Sequence, residues 1–264
     1  MIREDFHTHT TFCDGKHTPR EMVEWALAHG MERIGLCHHS YTFFDPGYCT
    51  APDRCQLFFD TVQALKEEYR GKIEVYCGVE SDLYSPAPAL DYDYEIGSVH
   101  YLQHGEDFVP VDGRAERLVQ AVERYYSGDF YAMCEDYYQN VAQWAQRKPT
   151  FIGHIDLVTK HNEGDRLFDT QHPRYLRAAY SAIDALLPLG VPFEMNTGAI
   201  SRGYRTTPYP HPTLLSYIIE HGGRVIFSGD AHARETLCYR FDLCEAALAP
   251  LGGKPLTYPE WKRK

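Results

Sequence analysis

Short apolar runs alternate with longer amphipathic segments along almost the whole chain of 264 residues. Seven of these runs have the length and composition of β-strands, and helical patterns lie between most of them. Strands that are repeatedly followed by helices predict a parallel sheet with the helices packed outside it. The predicted strands are residues 2–7, 33–37, 72–80, 94–100, 150–156, 191–196 and 223–229.

The first predicted helix has the clearest boundaries. Thr18 fits the N-cap, Pro19 fits the first helical position, and Glu21 completes a capping box. Gly30 then ends the helix. We predict further helices over 53–70, 115–147 with a break near Gly128, 173–187, 211–221 and 233–248, and a long loop over 101–114.

Two architectures fit this alternation, a doubly wound open sheet and a closed α/β barrel. A doubly wound fold concentrates its site at one switch point, often beside a glycine-rich first turn. A barrel instead gathers functional side chains at the C-terminal ends of many strands. The first strand here ends in HTH rather than in GxGxxG. The two folds therefore differ in where the chemically active residues should lie.

Residues that can bind metals stand at the ends of the predicted strands. Because residues i and i+2 of a strand point the same way, His7 and His9 can face one point while Thr8 faces away. Alone, this pair is weak evidence, since two solvated histidines near a loop would look the same. The other strands end on or just before further such residues, which are His38 and His39, Glu80, His100, His154 and Asp156, Glu194 and Asn196, and Asp230 and His232. Seven repeats predict one metal cluster of histidines and carboxylates at the strand ends, which favours the barrel.

The composition limits the classes of function. The net charge is -11, so a global basic footprint for nucleic acid is absent from the sequence. No apolar run approaches the roughly 18 residues of a membrane span, and the first residues lack a signal-peptide pattern, so we expect a cytoplasmic protein. The eight cysteines include no CxxC pair and are expected to be small buried residues. A disulfide framework would require an oxidising compartment.

These motifs resemble the PHP superfamily, the polymerase-and-histidinol-phosphatase domains, and within it the histidinol-phosphate phosphatases. The resemblance covers nearly the whole chain and lies in DFHTHTTFCDG, LCHHS, GVESD, EIGSVHYL, FIGHIDLVTK, FEMNTGAISRG and SGDAH. It implies an α/β fold, a distorted barrel of seven β/α units, with residues 1–264 as a single domain. It also implies a site at the C-terminal ends of the strands.

The resemblance also implies a set of ligands for three divalent metals. The first metal would take His7, His9, Glu80 and Asp230. Glu80 would bridge to a second metal, which is also bound by His100 and His154. A third metal would take Asp14, His39 and His232. Mixed imidazole and carboxylate ligands suit Zn, Mn or Fe.

Three positions around this ligand set stay open. His17 could replace Asp14 at the third metal, although Asp14 fits the family spacing better. His38 stands where such families often have an acidic residue. It could form a hydrogen bond to a metal ligand, or it could compete as a ligand itself. Glu194 and Asn196 could orient ligands, or they could be a buried polar pair that serves packing.

The implied chemistry is hydrolysis of a phosphate monoester. Metals would clamp the attacking and leaving oxygens and acidify a water, and we hypothesise in-line attack by a hydroxide that bridges the two metals sharing Glu80. Arg202 is the candidate phosphate clamp, with Arg205 or Lys160 as helpers, although each could be a surface cation. Asp82 and Asp156 are possible partners for a substrate amine. We expect His29, His161, His172, His211 and His221 at the surface.

The resemblance implies L-histidinol phosphate as the substrate, converted to L-histidinol and phosphate in histidine biosynthesis. A PHP phosphoesterase that acts on another small phosphorylated metabolite is the nearest alternative, because a fold does not determine a substrate. A nuclease and a metal-binding interaction module are more distant alternatives. We expect a small phosphorylated substrate, and neither nucleic acid nor membrane as a partner.

Overall fold

The computed structural model of the chain describes residues 2–262 and contains a sheet of seven parallel strands. The strands lie in the order β1-β2-β3-β4-β7-β8-β9, and neighbouring pairs are all parallel. Each falls within or overlaps one of the seven predicted runs. Their bounds are β1 Glu4–Asp5, β2 Arg33–Leu36, β3 Glu74–Asp82, β4 Tyr94–Ser98, β7 Phe151–Ile152, β8 Phe193–Asn196 and β9 Val225–Ser228.

The first and last strands meet just beyond their C-terminal ends. The backbone N–H of His9 donates to the carbonyl of Ala231 at 2.8 Å, and the N–H of Ala231 donates to the carbonyl of His7 at 2.9 Å. These bonds form an isolated parallel bridge between Thr8 and Ala231. The sheet is therefore a nearly closed, distorted α/β barrel, as the distribution of strand-end residues predicts, and not an open doubly wound sheet.

The helices follow the predicted pattern with three differences, of which the first is a short helix over 198–201 that was not predicted. Their bounds are α1 Pro19–Ala28, α2 Pro52–Glu68, α3 Ala115–Tyr126, α4 Phe130–Ala142, α5 Trp144–Arg147, α6 Pro173–Leu186, α7 Gly198–Ser201, α8 Pro212–Glu220 and α9 Phe241–Leu248. The capping box of Thr18 and Glu21 is present. The predicted helix 115–147 divides into three, and the first break is at Ser127 and Gly128, whose φ angles of 53° and 81° are left-handed.

The predicted helix 233–248 begins later than expected. Only a 3₁₀ turn forms at Arg234–Thr236, and α9 starts at Phe241. Cys238 has a φ of 53°, and its N–H donates to Oδ2 of the buried Asp5 at 2.9 Å. This hydrogen bond to β1 takes the place of the intrahelical hydrogen bond that the N–H of Cys238 would make if the helix began earlier.

The prediction of a long loop over 101–114 was wrong. Residues Tyr101–His104 (β5) and Asp107–Pro110 (β6) form an antiparallel hairpin with Gly105 in its turn at a φ of 63°. Leu102 is buried in the core, which explains why a segment with few apolar residues is ordered. Within residues 2–262, none of the helices combines the length and the apolar character that crossing a membrane requires.

An aromatic cluster supports the strand that leads into the HTH motif. The ring of Phe6 packs edge-on against Trp261, with 4.6 Å between centroids, and against Tyr94 at 5.5 Å. Gly78 makes room for this cluster, because a Cβ there would lie 2.1 Å from the Tyr94 ring. Phe6 directly precedes His7, so the packed core anchors the residues that enter the site.

A candidate metal centre at the carboxyl ends of the strands

The carboxylate of Glu80, in β3, is the centre of the site and is buried. Its Oε2 atom lies 3.1 Å from Nε2 of His7 and 3.3 Å from Nε2 of His9. Its Oε1 atom lies 3.2 Å from Nε2 of His100 and 3.1 Å from Nε2 of His154. The two oxygens therefore face two separate pairs of histidines, which is the arrangement of a carboxylate that bridges two ions.

Asp230 completes the first group. Its Oδ1 atom lies 3.7 Å from Nε2 of both His7 and His9. The residue has a left-handed φ of 45°, an uncommon conformation for a non-glycine residue that is enriched at functional sites. The carboxylate also packs closely on Gly198, where a Cβ would lie 2.6 Å from Oδ2. The first turn of α7 thus leaves room for the Asp230 side chain.

A third group lies next to the first. Asp14 places Oδ1 3.5 Å from Nε2 of His39 and Oδ2 3.2 Å from Nε2 of His232. Nδ1 of His39 faces Oε2 of Glu80 at 3.0 Å, so this group adjoins the centre of the site. His17, the alternative to Asp14, instead accepts a hydrogen bond from the N–H of Arg234 at 3.2 Å.

The charges of the site are balanced by mutual contact. Burial raises the pKa of Glu80, but His7, His39 and His100 together hold that pKa well below its usual range. Burial likewise opposes the charge of His100, yet Glu80 and Asp82 raise the pKa of this imidazole to about 10. Nε2 of His7, Nε2 of His9 and Oε2 of Glu80 are buried, and within the described residues their close contacts lack the geometry of a hydrogen bond. Buried polar atoms without partners are costly, and these donors are ligands of divalent metals, so the site fits such ions.

Glu194 lies behind the first group of ligands. Oε1 is 2.6 Å from Nδ1 of His7 and accepts a short hydrogen bond from Ser228. Oε2 accepts from the N–H of His154 at 2.7 Å and from Nδ2 of Asn196 at 2.9 Å. The structure thus brings Glu194 into contact with His7, a predicted ligand, and Asn196 into contact with Glu194.

Two further orienting contacts are absent from our reading of the sequence. Oδ2 of Asp82 accepts from the backbone N–H of His100 at 3.0 Å and lies 3.3 Å from its Nδ1. Sγ of Cys13 lies 3.4 Å from Nδ1 of His9. Asp82 is two residues after Glu80 on the same strand, a spacing that could have indicated it. Cys13 has no comparable signal.

His38 faces away from the site. Its Nδ1 is 3.0 Å from the carbonyl of His39, and its Nε2 is 2.8 Å from the hydroxyl of Tyr92. The ring packs on Phe58 with 4.7 Å between centroids. Burial lowers its pKa to about 4. The side chain is therefore a neutral, packed imidazole with its two ring nitrogens directed at these partners.

The three predicted phosphate-binding cations have different surroundings. Arg202 lies beside the first and third groups, with Nη2 2.8 Å from Oδ2 of Asp230 and Nη1 2.9 Å from Nδ1 of His232. Arg205 is buried, and its guanidinium donates to Oγ1 of Thr159 at 2.5 Å. Lys160 donates to the carbonyl of Asp112 at 2.7 Å.

A cavity of about 860 Å³ opens over the metal-binding groups. Its wall includes Arg202 and Lys160, as well as residues that our sequence analysis did not single out: Asp45, Tyr48, Tyr101, Asp112, Arg114, Arg117 and Arg166. His161, which we expected at the surface, is buried in this wall. His29 and His221 are exposed, and His172 and His211 are half-buried.

The class of protein follows from the fold and the site. Residues 5–198 match the PHP domain family, and the chain belongs to that family. This finding confirms the resemblance seen in the sequence motifs.

Named relatives extend along almost the whole chain. A protein of Deinococcus radiodurans named probable histidinol-phosphatase is 29% identical, over 96% of this chain and 95% of its own length. The histidinol-phosphatase of Bacillus subtilis is 26% identical, over 92% of this chain and 98% of its own. The crystal structure of histidinol phosphate phosphatase from Lactococcus lactis, complexed with Zn, L-histidinol and phosphate, has a TM-score of 0.70 at 20% identity. It covers 96% of this chain and 95% of that one, and the likeness concerns the fold.

Proposed function

We propose that this protein is a metal-dependent phosphomonoesterase that hydrolyses L-histidinol phosphate to L-histidinol and phosphate, a step of histidine biosynthesis. The single observation that carries the chemistry is the position of Glu80, whose two oxygens face separate pairs of histidines beneath an open cavity. The names of the two relatives that span almost the whole chain support the substrate.

Three divalent transition metals, Zn, Mn or Fe, would occupy the site. His7, His9, Glu80 and Asp230 would bind the first, Glu80, His100 and His154 the second, and Asp14, His39 and His232 the third. When bound, such ions supply positive charge for the phosphoryl oxygens and lower the pKa of the attacking water. Zn in the Lactococcus lactis structure supports this class of ion.

The protein itself would position the reacting groups. Glu194 and Asp82 orient His7 and His100 through their Nδ1 atoms, which keeps each Nε2 turned towards Glu80. Arg202 is the cation that we assign to the substrate phosphate, because its guanidinium lines the cavity beside Asp230. We do not assign Arg205 to the phosphate, because it is buried behind Thr159 and is not part of the cavity wall. Lys160 lines the cavity, but we assign its ammonium to the carbonyl of Asp112.

A substrate panel tests the proposal. The purified full chain is loaded with Zn or Mn and assayed for phosphate release from L-histidinol phosphate, several sugar and amino-acid phosphates, and short single-stranded DNA. We expect a strong preference for L-histidinol phosphate, lost on chelation and restored by metal. Efficient turnover of a different phosphomonoester would contradict the substrate but not the site. Cleavage of DNA without phosphomonoesterase activity would contradict the proposed reaction and favour a nuclease that uses the same site.

The number and identity of the metals are tested separately. Elemental analysis of protein purified without added metal should give about three ions per chain by the assignment above. A content of one ion per chain would contradict the three-metal arrangement. A metal content that does not correlate with activity would contradict it as well.

A further inference from the structure

Segment 111–113, which follows the hairpin β5–β6, is bound to the metal-binding region at three consecutive residues. The N–H of Val111 donates to the carbonyl of His100 at 2.8 Å. The carbonyl of Asp112 accepts from Nζ of Lys160 at 2.7 Å. The carbonyl of Gly113 accepts a hydrogen bond from Nε2 of His161 at 2.6 Å. The backbone on both sides of the Asp112 side chain is thus anchored.

The two side chains that anchor this segment are buried. Lys160 is 8% exposed and His161 is 5% exposed, although both side chains are polar. Lysine is almost never fully buried unless it is paired. Here the ammonium of Lys160 donates to a main-chain carbonyl and lies 3.5 Å from Oδ2 of Asp112. The arrangement keeps segment 111–113 at a fixed distance from the metal-binding groups.

The carboxylate that this segment carries remains open to the cavity. The Asp112 side chain is 33% exposed and lines the cavity. Asp112 therefore presents its carboxylate in the wall of the same cavity that Glu80, His100 and His154 line.

The two carboxylates that the sequence suggested as amine partners are not available for this role. Asp82 is 2% exposed and its Oδ2 is used on His100. Asp156 is 0% exposed and its Oδ2 accepts from the N–H of His211 at 2.8 Å. Asp45 does line the cavity, but it accepts from the hydroxyl of Tyr101 at 2.9 Å.

We infer that Asp112 binds the ammonium group of the substrate, so that the enzyme selects phosphomonoesters with an ammonium on the carbon next to the ester carbon. This inference rests on the proposed function. The proposed metal ligands and Asp112 line one cavity, so a substrate whose phosphate lies at those ligands can present its ammonium to this carboxylate. A substrate without the ammonium leaves the carboxylate with Lys160 as its only charged contact within 4 Å in the described part of the chain.

Matched substrate pairs test the inference. The first pair is L-histidinol phosphate and 3-(imidazol-4-yl)propyl phosphate, which lacks only the amine; the second is O-phosphoethanolamine and ethyl phosphate. For the metal-loaded wild-type chain we expect kcat/KM to favour the amine member by about 10-fold or more. Asp112→Asn should bring that ratio close to one with the metal content unchanged.

Glu116→Gln is the matched control, because Glu116 also lines the cavity and the change also removes one negative charge. Its ratio should stay within about twofold of wild type, the size of an exposed charge effect. A wild-type ratio near one, or equal losses on both members in Asp112→Asn, would overturn the inference. Because the wild-type ratio needs no variant, the test does not depend on how the variant folds.

The same data separate the two proposals. If L-histidinol phosphate is not hydrolysed, but O-phosphoethanolamine is preferred over ethyl phosphate and Asp112→Asn removes that preference, the proposed substrate is wrong and the role of Asp112 stands. If L-histidinol phosphate is hydrolysed no better than its analogue without the amine, the proposed reaction stands and the role of Asp112 is wrong.

Discussion

Nδ1 of His7 lies 2.6 Å from Oε1 of Glu194, although the two residues are 187 positions apart in the chain. The contact joins the residue after Phe6 to strand β8 and turns Nε2 of His7 towards Glu80. The same Glu194 carboxylate accepts from the N–H of His154. One buried side chain therefore orients a ligand of the first metal-binding group and the backbone of a ligand of the second.

We expect Glu194→Gln to weaken metal binding about 10- to 100-fold, as loss of a carboxylate partner of a metal-binding histidine does elsewhere. The neutral amide no longer pairs with the charge on His7, and it cannot accept from every donor that now surrounds the carboxylate. Competition with a chromophoric chelator measures the affinity. Glu220→Gln, at the exposed C-terminal end of α8, is the control for charge. Equal affinity in the two variants would contradict the orienting role.

Glu80→Gln should abolish turnover, with a loss of about 10³-fold or more, because several kcal/mol of transition-state stabilisation depends on correctly placed ions. Elemental analysis should show fewer bound ions, since Glu80 contacts two groups. Glu74→Gln, in the exposed part of the same strand, should have near-normal activity and metal content. A Glu80→Gln variant with wild-type rates would refute the bridging assignment.

Removing the metals should destabilise the fold. Ions that bind only the native state add about 2.7 kcal/mol at a free concentration 100 times Kd, and in a chain of this size each kcal/mol shifts Tm by about 2–4 °C. Chelation should therefore lower Tm by about 5–10 °C, and added Zn or Mn should restore it. Scanning calorimetry measures the change. Identical transitions with and without chelator would show that the buried histidines and carboxylates do not bind ions.

Gly198→Ala should impair the site through Asp230. The new Cβ would lie 2.6 Å from Oδ2 of Asp230 and 2.7 Å from its Cβ, so the carboxylate must move. We expect metal affinity to fall by about tenfold or more, the cost of a misplaced supporting contact. Gly47→Ala is the control, because the nearest atom to its Cβ would be 3.9 Å away. If both variants bind metal as wild type does, Asp230 does not bind an ion in this position.

The clustering of histidines and carboxylates could be predicted from the sequence because its members follow a local pattern. A strand places residues i and i+2 on one side, and parallel strands end at the same edge, so His7, His9 and Glu80 could be assigned to one site. The hairpin β5–β6 was missed because its order depends on Leu102 packing into a core built from distant segments. Periodicity alone does not report such contacts.

The direction in which an individual side chain points could not be predicted from the sequence. His38 and His39 are neighbours, yet one faces Tyr92 and the other faces Glu80. Lys160 and Arg205 are both predicted from the sequence as helpers in phosphate binding, and only the structure shows that they contact Asp112 and Thr159. These outcomes depend on which partners the folded chain brings within hydrogen-bonding distance.

The sequence by itself determined the alternation of strands and helices, the barrel, and the residue types gathered at its carboxyl edge, because these follow from short-range periodicity and strand polarity. Only the tertiary structure decided that the two oxygens of Glu80 face separate pairs of histidines, and that Asp112 lies in the cavity wall. The reason is physical: each such contact joins residues far apart in the chain, and its geometry depends on the packing of every element between them.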